Sequence, residues 1–380
     1  MAWMSLVVMQ VMVPFFQSRG LSLSQVYQLQ AYFALLIIVL DAPAGYIADL
    51  WGRKACIQIG AALNGIAYVI LAFSENWQHL IWFETFCAMG VSLLSGTDIA
   101  LIYDSLDALD DQGMKAGPIV GKRMFYINLG EALASLVGGF LAAISLEFPA
   151  RVNAVTAWIA FFIAFTLFEP PRSKLDKRAH WKNFSTIYRS VFRHSKLLTL
   201  VILNYIVYGF ASLAAVWAYQ AYWRHLDIPI SYFGYLWAAY SLLGAISART
   251  AYRVERKIGS VTAILIVAAL PVIGFFGMGY FGTFVGVIFG ASFAVCRGLN
   301  QVLLQDAVNA RVPASMRATA NSIANLGVRV LFGLLGPVTG YLLDQEGFQF
   351  TFYVLALGYV GAFFLFVLPL LSQRRFFVIR

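Results

Sequence analysis

The chain has 380 residues, 61% of them hydrophobic and only 12% charged, with a mean hydropathy of +0.75 and a formal net charge of +9. Soluble domains run near half apolar and a quarter charged, so this composition excludes a soluble globular chain and indicates a membrane protein. Lys and Arg collect in the gaps between apolar runs, where they anchor a chain to the bilayer. No basic stripe interleaved with aromatics is present, so no nucleic acid partner is expected.

Taken in chain order, windows of about 19 residues place apolar spans at 1–16, 25–47, 55–73, 79–103, 119–143, 151–168, 197–222, 231–251, 260–279, 282–305, 317–342 and 349–371. The runs are about 20 residues long and do not alternate at period two, which predicts helices rather than a β-barrel. The expected fold is an all-α integral membrane protein, twelve transmembrane helices in two six-helix bundles. The first span is short for a bilayer and lacks the basic leader of a signal peptide, so it reads as a span. Cys56, Cys87 and Cys296 fall in apolar runs and read as small buried hydrophobes, not as a disulfide or metal set.

Between the second and third runs lies the stretch from Asp41 to Lys54, dense in charge, glycine and proline. It predicts a short turn at the membrane surface. The longest gap, 169–196, opens with Glu169-Pro170-Pro171, which stops the sixth helix. It carries Arg172, Lys174, Lys177, Arg178, Lys182, Arg189, Arg193 and Lys196. Phe184, Ile187, Tyr188, Val191 and Phe192 recur at helical spacing and predict an amphipathic helix on the inner leaflet. The expected organisation is a bundle at 1–168, a basic cytoplasmic linker at 169–196, a second bundle at 197–371 and a cytoplasmic tail at 372–380.

With both termini inside, all but five of the 27 Lys and Arg fall on the cytoplasmic side. Arg19, Arg151 and Arg224 fall outside, and Arg297 and Arg329 lie within spans. The halves are alike: Ser135-Leu-Val-Gly138-Gly139 in span 5 matches Gly336-Pro337-Val-Thr-Gly340 in span 11. Small residues there allow helices to approach closely. The segment Arg253-Val-Glu255-Arg256-Lys257-Ile-Gly259 after span 8 occupies the place of Asp41–Lys54 in the first half, as expected of a two-bundle repeat.

Asp41-x-Pro43-x-Gly45-x-x-Ala48-Asp49-x-x-Gly52-Arg53-Lys54 resembles the first cytoplasmic loop signature of the major facilitator superfamily. Asn309-Ala-Arg311-Val-Pro313 with Arg317-Ala-Thr319 resembles its loop between helices 10 and 11. Twelve spans and the 6+6 split extend the likeness over essentially the whole chain. The resemblance implies a gate. Asp49 would lie against the start of helix 11, whose free N–H groups and positive dipole end favour an anion, and Arg53 would pair with Asp104. Leu50 departs from the pattern, standing where the family has a cation. The antiporter signature of helix 5 is also incomplete, with Ala134-Ser135 where a Gly-Pro pair is the rule.

Ionisable groups inside a span are costly and tend to be functional. Glu84, near the outer end, and Asp98 share a face of span 4 with Ser95. Glu131 in span 5 lies on a stripe with Asn128 and Ser135. Arg297 stands one turn before Gln301 in span 10, and Arg329 continues Asn321 and Asn325 in span 11. By the resemblance, spans 1, 4, 7 and 10 line a central cavity. That implies Asp98 and Arg297 as its deepest polar pair, with Asn204, Tyr208, Tyr219 and Gln220 added by span 7. Asp98 and Glu131 are the proton-carrier candidates, while Arg297 and Arg329 serve equally well as ties between helices.

The expected function is secondary transport of a small organic solute by alternating access, coupled to protons, with efflux favoured over uptake. One alternative is an uptake symporter for an anionic metabolite held by Arg297 and Arg329. Another is a sensor or scaffold with the same fold. His79, His180, His194 and His225 sit at loops or span ends with no metal pair or nucleophile elbow, so neither an enzyme nor a cofactor or metal is expected. The expected partners are a small-molecule substrate, protons and the lipid bilayer of a bacterial-type inner (plasma) membrane, with the chain acting as a monomer.

Overall fold

The computed structural model describes residues 7–108, 116–170, 196–312 and 317–373. Among the described residues no strand occurs and nearly all are helical. In hydrocarbon a backbone amide finds no water, so an apolar run closes its hydrogen bonds on itself. The helices are α1 (Met12–Ser18), α2 (Leu23–Trp51), α3 (Arg53–Ala72), α4 (Trp77–Leu94), α5 (Thr97–Ala108), α6 (Ala116–Ile144), α7 (Phe148–Phe165) and α8 (Lys196–His225). They continue as α9 (Phe233–Ile258), α10 (Ser260–Tyr280), α11 (Phe284–Asn309), α12 (Arg317–Gln345) and α13 (Gly347–Ser372). Side chains fix several starts. Ser22 and Gln25 form a reciprocal capping box ahead of α2, and Asn76 accepts from His79 N at 3.1 Å ahead of α4.

Ten stretches among the described residues are long and apolar enough to cross a membrane. Two of the twelve expected spans are not among them. Residues 1–6 of the first lie outside the described set. The eighth, α9, is long enough but carries Arg249, Arg253, Glu255, Arg256 and Lys257 in its second half. The expected amphipathic helix in the linker and most of the tail lie outside the described residues.

Two boundaries correct the sequence reading. Asp41 to Trp51 forms no turn, because α2 runs through Pro43 to Trp51 and the whole connection to α3 is Gly52, at φ 107°. Glycine adopts that conformation without strain, so one residue replaces the expected loop. Span 4 is not continuous either. It breaks at Ser95 and Gly96, the latter at φ 76°, and α5 begins with an N-terminus of its own.

By contact the chain forms two units, Met1–Asp176 with Ile228–Ala238, and Lys177–Asp227 with Ala239–Arg380. In the first, α3 packs against α4 and α7. Glycines permit the approach: a Cβ on Gly90 would lie 2.8 Å from Gly60 O, and one on Gly60 would lie 2.9 Å from Leu94 Cγ. A Cβ on Gly138 of α6 would overlap Val7 and Gln10, and one on Gly139 would lie 2.8 Å from Gly234 Cα.

The second unit repeats the order, with α10 against α11 and α13. Its core joins Leu198, Val201 and Tyr205 of α8 to Leu304 and Val308 of α11, Ala320 of α12 and Leu370 of α13. Both α11 and α13 contain a π turn, at Asn300–Leu304 and Phe363–Val367. Each is tied to α8. Asn300 Nδ2 donates to Tyr205 O at 3.2 Å, and Asn204 Nδ2 donates to Phe366 O at 2.9 Å.

Replacing Gly90 by Val is expected to overpack the α3–α4 contact and cost about 1–3 kcal/mol. The check is a lower thermal unfolding midpoint for the protein in detergent, with a wild-type midpoint counting against the packing account.

Candidate functional site

The densest polar constellation in the first unit lies where α2 meets α3. Gly52 turns the chain so that α3 starts with exposed N–H groups, which need acceptors and form the positive end of the helix dipole. The carboxylate of Glu169, just beyond α7, supplies them. Its Oε1 accepts from Arg53 N at 2.9 Å and its Oε2 from Lys54 N at 2.6 Å. Lys54 Nζ donates to Phe165 O at 3.0 Å, so the same pair of residues fastens the end of α7 twice. From the other side of the turn, Arg53 Nε donates to Asp104 Oδ2 on α5 at 3.3 Å. Two residues of one motif thus hold α3 to α5 and to the segment after α7.

The constellation also explains Gly52 a second time. A Cβ there would lie 3.0 Å from Glu169 Oε1, in addition to the strain of its positive φ. Gly45 has no such account, since a Cβ on it would meet nothing within 4 Å. Asp41 and Pro43 are exposed on α2. Asp49 is on the last turn of α2 but its side chain lies outside the described set. The matching glycine of the second unit, Gly259, has φ 83° and likewise opens α10. There Ser260 Oγ donates to Glu255 Oε1 at 2.7 Å, and no group lies within 4 Å of a Cβ on Gly259.

The remaining intramembrane acids of the first unit each have a partner. Asp98, in the first turn of α5, caps Ile99 N at 2.8 Å and accepts from both Nε (2.9 Å) and Nη2 of Arg123 on α6. Glu131 accepts from Trp237 Nε1 at 3.3 Å. Glu84 is 3% exposed and accepts from the buried Gln30 Nε2 at 2.6 Å, a tie between α4 and α2.

In the second unit Asn204, Tyr208, Tyr219 and Gln220 are all buried. Tyr219 donates to Gly290 O at 3.0 Å, which makes it, like Asn204, a tie between neighbouring helices. Gln301 is exposed within the π turn of α11, while Arg297 and Arg329 are half-buried.

Sequence reasoning missed two residues of this set. Glu169 was taken only as the start of the linker, although an acid directly ahead of Pro170 at a helix end was a usable signal. Arg123 was grouped with the cytoplasmic cations. Its position one turn inside the run 119–143, with an acid in the preceding span, is the available clue.

Glu169→Gln keeps the acceptor oxygen but removes the charge at the start of α3, and is expected to lower stability by about 1 kcal/mol. Gly52→Ala should cost more, about 1–3 kcal/mol, from backbone strain alone. Thermal unfolding of both variants side by side tests the order, and a Gly52→Ala protein as stable as wild type would refute it.

The sequence profile of the Major Facilitator Superfamily matches residues 1–315. The quinolone resistance protein NorA of Staphylococcus aureus is 25% identical over 190 residues, 47% of this chain and 48% of that protein. The chain thus spans about half the length of that curated relative. The uncharacterised MFS-type transporter MJ1560 of Methanocaldococcus jannaschii is 23% identical over 266 residues, 67% of this chain and 65% of the relative. Among solved structures, the nucleoside transporter NupG matches with a TM-score of 0.78 at 14% identity, covering 96% of each chain. The D-xylose-proton symporter matches at 0.72 and 16%, covering 95% of this chain and 92% of that one. At such identities the likeness is one of fold. With its profile over most of the sequence and its fold shared along nearly the full length, this chain belongs to the Major Facilitator Superfamily.

Proposed function

We propose that this protein is a secondary transporter that carries a small organic solute across a bacterial-type plasma membrane by alternating access, coupled to protons, with export favoured over uptake. The observation that carries the reading is the fastening at the α2–α3 turn. Arg53 with Asp104, and Glu169 with the first amides of α3, add contacts of a carboxylate or guanidinium at three helix ends to the packing of α3 on α7. Contacts of that kind can be broken and remade at modest cost, whereas a close-packed core has to be unpacked. They suit an end of the molecule that opens and closes.

In the proposed topology there are twelve spans, both termini are cytoplasmic, and this turn is the cytoplasmic gate, with Asp41, Pro43, Gly45, Asp49, Gly52, Arg53 and Lys54 as its motif. The resistance relative, which matches over about half its length, favours export. Protons are carried by Asp98 and Glu131, each held by one reversible partner, Arg123 and Trp237. The pathway also takes in Gln301, Arg297 and Arg329, and the buried ties Asn204, Tyr208, Tyr219 and Gln220 enter it when α8 rearranges.

Arg53→Gln and Asp104→Asn should each slow turnover roughly tenfold or more while leaving substrate affinity within about twofold, because a gate contact acts on the conformational step. The double variant should be no slower than the worse single one. Transport and binding in proteoliposomes decide it: a collapse of affinity with turnover intact would mean that these residues do not gate.

Proton coupling has its own test. Asp98→Asn and Glu131→Gln are expected to weaken gradient-driven accumulation in at least one variant, leaving exchange in the absence of a gradient measurable. Unaltered coupling in both removes them as carriers.

A further inference from the structure

Arg297 is set apart by what surrounds it. It stands thirteen residues after Phe284 and twelve before Asn309 on α11. At about 1.5 Å per residue, that puts it near the middle of the span. It is half-buried, its charge acts on the buried Tyr219, and among the described residues no ion pair or hydrogen bond of its guanidinium is found. The sequence of the second half offers none at this depth. The apolar stretches 197–222, 231–251, 260–279, 282–305, 317–342 and 349–371 contain Arg249, Arg297, Arg317 and Arg329 but not one Asp or Glu.

In the first unit the half-buried Asp98 and Glu131 are engaged by Arg123 and Trp237, and the buried Glu84 by Gln30. A guanidinium inside hydrocarbon without a counter-ion is among the costlier arrangements a membrane protein can hold, and it persists where a function needs it. Gly244 lets α9 approach α11 beside it: a Cβ there would lie 3.3 Å from Ala294 O and 3.6 Å from Arg297 Nη2.

We infer that Arg297 is the recognition site for an anionic group, a carboxylate or phosphate, on the transported solute. The planar fork of N–H donors matches the two oxygens of either group. The anion supplies the missing charge, so binding gains the compensation that the chain itself withholds. This rests on the transporter reading above and adds the class of solute to it. Arg329 is not part of the site, since it has interactions within the chain.

The test uses the purified full-length protein in neutral detergent, with unfolding midpoint as the readout. The probes are benzoate, succinate and glycerol phosphate, each beside its uncharged counterpart benzamide, succinamide or glycerol, with phosphatidylglycerol as a separate arm. The expected result is that at least one soluble anion raises the midpoint while its counterpart does not. Arg297→Gln should then weaken that anion by tenfold or more. Arg297→Lys, which keeps the charge but not the fork, should weaken it less and confirms that the site tolerates substitution.

The inference is overturned if no soluble anion binds, if only uncharged probes or phosphatidylglycerol bind, or if Arg297→Gln binds the anion as wild type does. Proteoliposome transport separates the two readings. An anion that binds through Arg297 but is never moved leaves this site standing and defeats transport, whereas transport of an uncharged solute unaffected by Arg297→Gln does the reverse.

Discussion

A charge drawn into hydrocarbon is costly without its opposite, and the described charges of the first unit are arranged around that cost. Asp98 has Arg123, and Arg53 has Asp104. The cations that break the inside bias of the sequence follow the same rule: Arg19 and Arg151 both donate to Glu147, at 2.9 and 2.7 Å, and Arg19 also lies over the Phe15 ring. What reads in sequence as a lapse of topology is in space a neutralised cluster. Charge counting by loop therefore understates the order in these positions, because it ignores the acid that joins two of the exceptions.

The two glycine turns show how a repeat can keep its backbone and change its chemistry. Gly52 and Gly259 have nearly the same conformation, φ 107° and ψ 152° against φ 83° and ψ 153°, and each opens the third helix of its half. Around Gly52 a carboxylate from 117 positions along the chain closes on the new helix start, whereas Glu255 serves Ser260 from within the turn itself. The first turn is thereby bound to other helices, while at the second a bond joins two of its own neighbours. A backbone shared by both halves leaves function to be written in the few side chains that differ.

Much of this was legible in the sequence. Hydropathy alone located ten spans that reappear within a few residues, because the hydrocarbon thickness fixes helix length. The glycine at position 52 marked the join, and the family resemblance, not span geometry, named Arg53 and Asp104 as a pair. What failed was local geometry and distant contact. Charge and proline in Asp41–Trp51 suggested a turn, yet a membrane helix tolerates a proline when neighbouring donors or local adjustment satisfy the freed carbonyl, and α2 runs through Pro43. The break at Gly96 is a backbone choice that composition does not announce. Glu169 and Arg123 were missed since their partners lie in other helices, and periodicity carries no information across a gap in the chain.

The two units are also tied by different kinds of force. In the first, several helix-to-helix links are charged, and Coulomb attraction falls off slowly and tolerates changes of angle. In the second, the links run from neutral donors to backbone carbonyls: Asn204 to Phe366, Asn300 to Tyr205, Tyr219 to Gly290 and Tyr359 to Val207. Such bonds fail within a fraction of an ångström and a few tens of degrees. Short directional bonds of this kind fix the geometry of a helix contact more narrowly than a charged pair does. The apolar stretches of the second half of the sequence carry no Asp or Glu, the acids of its helices lying toward their ends at Glu255, Asp306 and Asp344, so these helix contacts are made largely by amides and hydroxyls at the depth where Arg297 stands.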